Sequence, residues 1–267
     1  MTVDLSYFRK VGNSYNSSSR QETELYEINR HINDRFNDSI SYIQVLRNGE
    51  PFELIVERDT RKNNHIKLIK SRPGQPFNAG DYVQWDNHIW LIAEIDPDSR
   101  MQNHGLMYLC TYLLKWQNRS GDIIERWVYS EDFTKYSSGQ YKDRVMRIGD
   151  YQFGFTLPVD EETKAVTRDK RFIIDFEGNY PPNAFRVTNL KIFLNDNTYF
   201  NRGGVLTWTM GLDFFDEKRD KLVTLPEPDD SNVWIADYKD VSELGQTNAT
   251  NDSPDEQSTP DYDVWWR

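Results

Sequence analysis

The chain is poor in the residues that most often carry chemistry. It has a single cysteine, Cys110, in 267 residues. This excludes an internal disulfide and any zinc site built from several thiolates. The thiol sits in LMYLCTYLLKW, where a buried and inert side chain is expected. Histidine is scarce as well: His31, His65, His88 and His104 stand far apart, with no HExxH and no cysteine partners. No metal or other cofactor is therefore expected. No GxSxG frames a nucleophile, and Gly203-Gly204 precedes a strand pattern and not a helix, so the pair reads as a turn. No catalytic residue is nominated and the chain is read as a non-enzyme. With 43 acidic residues, carboxylate pairs are too plentiful to point to a glycosidase.

Long hydrophobic runs are missing too. Mean hydropathy is -0.80 and no apolar stretch approaches the ~20 residues of a membrane span, so no membrane partner is expected. The opening MTVDLSYFRKVGNSYNSSS lacks the basic-then-apolar order of a secretory signal. Basic clusters are absent: 32 Lys and Arg against 43 Asp and Glu give a net charge of -11, which argues against tight phosphate binding.

What the chain does have is rings. Aromatics make up 14% of residues while all hydrophobic types reach only 37%, so a core must be built from few, large side chains. FNAGDYVQWDNHIWLIAEI, residues 77 to 95, poses the question these rings raise: a ligand site lined by Trp85 and Trp90, or a hairpin of a β-domain. Val, Ile, Tyr and Trp favour the pleated backbone, and Asp86-Asn87 tolerate the positive φ of a two-residue turn. That turn sets Val83 opposite Trp90 and Tyr82 opposite Leu91. The stretch is read as scaffold.

The remaining patterns give a mainly β chain. An N-terminal arm and helix occupy residues 1–40, with Ser18 or Ser19 as cap and Leu25, Ile28, Ile32 and Phe36 as a narrow stripe lying on something. Strand-like runs fill a first β-barrel-like domain at 41–158 and a second small barrel or sandwich at 159–241. Within them, residues 130–150 read as irregular, and DEETKAVTRDKR as an exposed loop, either a domain seam or a long excursion within one architecture. Residues 242–267 form a flexible acidic tail too polar to fold alone.

Two features remain as functional candidates. Exposed rings in TYFNRGGVLTWTMG could form a sugar-stacking face, although core packing explains them more simply. The tail ends in DYDVWWR, where Tyr262, Trp265 and Trp266 are nominated as partner-binding anchors, because bulky rings at the tip of an acidic tail belong in another protein's groove.

GDYVQWDNHIWLI, YLCTYLLKWQNRSGDIIERWVYS and RFIIDF…FRVTNLKIFLN…GGVLTWTMGLDFFDEKRD…WIADY, in that order over residues 77 to 240, resemble the neck and head-closure proteins of tailed bacteriophages infecting Gram-positive hosts. The resemblance implies a structural virion protein, made in the host bacterial cytoplasm, that forms a β-barrel ring between portal and tail. Its implied partners are further copies of itself, the portal or adaptor protein and a tail protein. DNA would pass through the channel without sequence-specific binding, and the acidic charge suits a wall to which duplex does not adhere. A carbohydrate-binding or receptor-contacting tail protein is the alternative.

Overall fold

The computed structural model describes residues 19–58, 64–96, 101–132, 135–141, 144–150, 152–174, 181–194, 203–225 and 231–240. The described chain is mainly β, with an N-terminal helix and two barrel-like sheets.

Helix α1 (Arg20–Arg35) starts where the Ser19 hydroxyl accepts a hydrogen bond from the Glu22 amide at 3.2 Å. Glu22 in its first turn and Arg35 in its last complement the helix dipole. The expected stripe is not covered. No residue of α1 is buried, and only Phe36, in the short 3-10 turn Phe36–Asp38 that follows, goes fully inside. Phe36 meets Tyr42 edge-on at 5.9 Å, and the Arg72 guanidinium lies 4.6 Å from its ring centroid. Arg72 also donates to the Asn33 carbonyl at 3.1 Å, so the helix is fastened by its C-terminal end.

Six strands follow: β1 (Tyr42–Arg47), β2 (Glu50–Arg58), β3 (Ile66–Lys70), β4 (Tyr82–Trp85), β5 (His88–Ile95) and β6 (His104–Leu109). They pair antiparallel in the order β1-β2-β3-β6-β5-β4, and β4 returns to β1, which closes the barrel. The β4–β5 turn forms as the sequence predicts. Asp86 and Asn87 take φ 51° and 59°, and Val83 faces Trp90 while Tyr82 faces Leu91. Asn48-Gly49 make the equivalent turn between β1 and β2. Leu54, Ile69, Val83, Ile92 and Met107 are sealed inside with Trp90, and Trp85 lies 5.5 Å from Trp90. These tryptophans hold strands together.

The second unit comprises β7 (Tyr112–Gln117), β8 (Ile123–Asp132), β9 (Lys135–Tyr141), β10 (Arg144–Asp150), β11 (Gln152–Pro158), helix α2 (Glu161–Lys164), β12 (Arg171–Ile174), β13 (Asn183–Leu194), β14 (Gly204–Asp213), β15 (Lys221–Thr224) and β16 (Asn232–Ile235). Its six-stranded sheet runs β12-β13-β14-β11-β8-β7, with β9–β10 and β15–β16 as separate hairpins. The sheet curls until its edge strands approach: Trp116 of β7 meets Phe172 of β12 at 6.0 Å, and Phe172 stacks on Trp208 of β14 at 5.3 Å. Trp208, Phe155, Leu114, Leu157 and Met210 fill the interior. Burying one such tryptophan removes about 150–250 Å² from water, a gross stabilisation of roughly 4–6 kcal/mol.

Three sequence expectations differ from this arrangement. Sheet pairing places β7, β8 and β11 with β12–β14, so residues 112–158 pair with later strands and do not continue the first barrel. The first barrel is already closed by β6, and later strands have no edge there to join. The run DEETKAVTRDKR is not an exposed loop: Asp160 and Thr163 form a reciprocal capping box, Thr163 is buried and Val166 enters the core. The described residues between 130 and 150 are strands and not irregular chain, with β9 and β10 paired from Lys135↔Asp150 to Tyr141↔Arg144.

Candidate interaction surfaces

The two units meet through a tight junction. Ala79, Leu91 and Cys110 pack with Val205 of β14. Gly80, at φ +96°, lies so near this strand that a Cβ there would stand 2.4 Å from the Gly204 carbonyl oxygen. The Tyr82 hydroxyl donates to the Trp127 carbonyl at 2.5 Å, and burial pushes its phenol pKa well above the usual range. Burial likewise pushes the Cys110 thiol up to about 12, so it stays protonated and unreactive, as the sequence suggested.

A second construction spans the gap between β7 and β12. Strand β16 lies against both. Behind it, Arg171 is almost completely enclosed. It donates from Nε to Asp213 at 3.0 Å, from Nη1 to Asp220 at 2.9 Å and Asp237 at 3.0 Å, and from Nη2 to Asp220 at 2.9 Å and the Phe214 carbonyl at 2.6 Å. Burial alone disfavours its charge, but the hydrogen bond and charge of Asp220, with those of Asp237, outweigh burial and hold the proton more tightly than usual. Asp213 is held below the ordinary carboxylate range: burial opposes this, but the Phe214 amide, Arg186 and Arg171 prevail. At the other end of the gap, the Gln117 amide donates to the Lys239 carbonyl at 2.9 Å and accepts from the Lys239 amide at 2.8 Å. A side chain thus imitates one rung of a strand ladder.

Beside this gap lies a cleft of about 470 Å³ whose walls include Trp116, Arg119, Glu162, Lys170, Asp237 and Lys239. Three of its charges are engaged within the fold. Asp237 binds Arg171 and Arg219, Glu162 accepts from Asn118, and Lys170 donates to the Gln117 carbonyl at 3.2 Å while burial lowers its pKa. No set of acid, base and nucleophile converges there. Among the described residues no group of three or more His, Cys, Asp or Glu is placed to hold a metal ion.

Two further features bear on contacts with other chains. Hairpin β9–β10 prolongs β8 and β11: Asp132 pairs with Phe153 at the edge of the sheet, and Lys135 pairs with Asp150 just beyond it. Seven further residues on each side carry this two-stranded arm about 20 Å onward. The other feature is β13. Strand β12 covers it only from Asn183 to Arg186, and two further backbone hydrogen bonds join Val187 to Lys170 and Asp169. Past Val187, that side of β13 has no strand partner among the described residues, while β14 pairs the other side to Leu194. Ile192 and Phe193 are about half exposed there, at 52% and 49%. Phe193, Lys191 and Val205 also line a groove of about 400 Å³ towards Ala93, Ile95 and Tyr108 of the first barrel.

The nominated anchors Tyr262, Trp265 and Trp266 lie outside the described residues. The proposed sugar-stacking face in TYFNRGGVLTWTMG does not form around Trp208, which is completely buried. Sequence reading missed the Arg171 cluster, whose only signal was an Arg flanked by strand-forming Phe-Ile-Ile in KRFIID.

No protein-family model matches the chain. No curated protein matches it either. A solved structure described as "MrkH, A novel c-di-GMP dependence transcription regulatory factor" aligns with 73% of this chain and 85% of its own, at 10% identity and a TM-score of 0.23. A likeness at that level carries no argument.

Proposed function

We propose that this chain is a structural virion protein of a tailed phage, assembling as a ring at the neck between portal and tail and bounding the DNA channel. The reading rests on the resemblance of residues 77 to 240 to head-closure proteins, and one structural observation supports it above others. The β8–β11 pairing is prolonged by the β9–β10 hairpin, a separate two-stranded sheet, and a two-stranded ribbon alone is marginally stable in water. Such an arm is stable when a neighbour supplies its third layer. The packed junction at Gly80, Val205 and Tyr82 suits the same role, because a ring that transmits load needs units that do not swing. A charge of -11 without basic clusters suits a channel wall along which duplex slides.

The carbohydrate reading has no comparable support. It needs a row of exposed rings, whereas Trp90, Trp116 and Trp208 are buried in the two cores.

Interrupting the coding sequence in a phage grown on a complementing host tests the proposal. Electron microscopy of the progeny from a non-complementing host should show filled or leaking heads and separate tails. Intact, infectious particles lacking the protein would refute it.

A further inference from the structure

The open edge of β13 asks for a strand, and the chain itself contains a segment suited to it. We infer that residues 261–266, Asp-Tyr-Asp-Val-Trp-Trp, add as a strand to the Thr188–Leu194 edge of β13 in a second copy of this chain. The inference deepens the ring proposal and rests on it, since a tail from one copy on the edge of the next is a head-to-tail contact that repeats around a ring.

Three observations converge. Among the described residues no strand pairs that side of β13 past Val187, Ile192 and Phe193 are half exposed there, and such an edge is a template for strand addition. The segment has the composition and period of a strand: Tyr, Val and Trp are strong strand formers, and alternate positions give Tyr262, Val264 and Trp266 against Asp261, Asp263 and Trp265. Charge is complementary. Strand β13 carries Arg186 and Lys191 and no carboxylate, whereas residues 241–267 carry six carboxylates and one cation.

The faces agree as well. Leu190 packs on the main core of the second unit, and Ile192, two residues on, continues that face into solvent. An added strand would set Tyr262, Val264 and Trp266 beside them and extend the core by one layer. Lys191 occupies the opposite face, where Asp261 and Asp263 would lie. The roughly 20 residues between Asp240 and Asp261 reach up to about 70 Å when extended, enough to arrive at a neighbouring copy.

Amide hydrogen exchange on the full-length protein tests this. Amides between Thr188 and Leu194 that exchange freely at about 1 µM should slow about tenfold or more at about 100 µM, as mass action fills the edge. Val264→Pro removes a ladder donor in the added segment and should abolish that slowing, while barrel strands β1–β6 exchange as before. Exchange at β13 that ignores both concentration and Val264→Pro would overturn the inference. So would protection that Val264→Pro removes but dilution does not, since the segment would then lie on its own chain. Annular particles that assemble normally with Val264→Pro would overturn the inference and leave the neck reading standing.

Discussion

Replacing Arg171 by Met removes the one buried cation that faces Asp213, Asp220 and Asp237. The side chain of Arg171 is 4% exposed and that of Asp220 is fully enclosed, so water cannot take the cation's place. Five hydrogen bonds disappear, two of them to Asp220. Asp220 keeps the Asp216 and Asp237 amides, which support its charge but do not neutralise it. Breaking a buried pair from one side costs about 3–5 kcal/mol, chiefly for the charge left behind. Urea unfolding followed by tryptophan fluorescence should therefore show a loss of about 3–5 kcal/mol, and amides of β15 and β16 should lose protection before those of the first barrel. Arg171→Met with Asp220→Asn should recover part of that loss, because the stranded charge goes with its partner. A cost under about 1 kcal/mol for Arg171→Met, or a double variant as unstable as the sum of its parts, would refute the reasoning.

Gly80→Ala should cost more than Gly49→Ala. Both sit at positive φ, +96° and +87°, but a Cβ at Gly80 meets the Gly204 carbonyl whereas Gly49 faces open space; thermal melts should give upwards of about 2 kcal/mol against about 1 kcal/mol. Acid should weaken the fold through Asp213 and Glu53, the latter held low by hydrogen bonds from Arg72 and Tyr42 against the opposing effect of burial. Because both folded pKa values lie below the unfolded ones, their stabilisation is complete above the ordinary carboxylate range and disappears as pH falls through the depressed values. The urea midpoint should then drop below about pH 4, and Asp213→Asn with Glu53→Gln should flatten that drop. A thiol-specific reagent at pH 8 should leave Cys110 untouched in the native protein and label it in urea; rapid native labelling would contradict its burial.

Local chemistry was legible in the sequence and long-range partnership was not. Asp86-Asn87 fixed the β4–β5 register because a two-residue turn allows only one, and Val83↔Trp90 followed. Ser19 and Glu22 placed the start of α1 for the same kind of reason. The closing of the first barrel at β6 depends on β3 finding β6 across about 40 residues, and no local pattern encodes that choice. Charge also misled. Asp160-Glu161-Glu162 and Lys170-Arg171 look solvated in one dimension, but Thr163, Val166 and Arg171 all point inward once α2 and β12 are folded. The nominated anchors were read from composition alone, and the edge of β13 past Val187 became visible only when β12 was seen to begin at Arg171, opposite Arg186.

The two units solve the problem of sheet edges in different ways. In the first, β4 returns to β1 and every strand has two neighbours, so ladder hydrogen bonds close the sheet. In the second, β7 and β12 approach but do not pair. The gap is bridged by rings between Trp116 and Phe172, by the Gln117 amide on Lys239, and by β16 clamped through Arg171. These bridges hold the sheet curled without pairing its edge strands, and beyond Val187 β13 has a strand partner on one side only among the described residues. The same unit carries the β9–β10 arm. A sheet closed by ladder hydrogen bonds all the way round would be stable and inert. One closed by side chains keeps its curl while its edge strands stay unpaired with each other, which is the arrangement the proposed strand addition at β13 relies on.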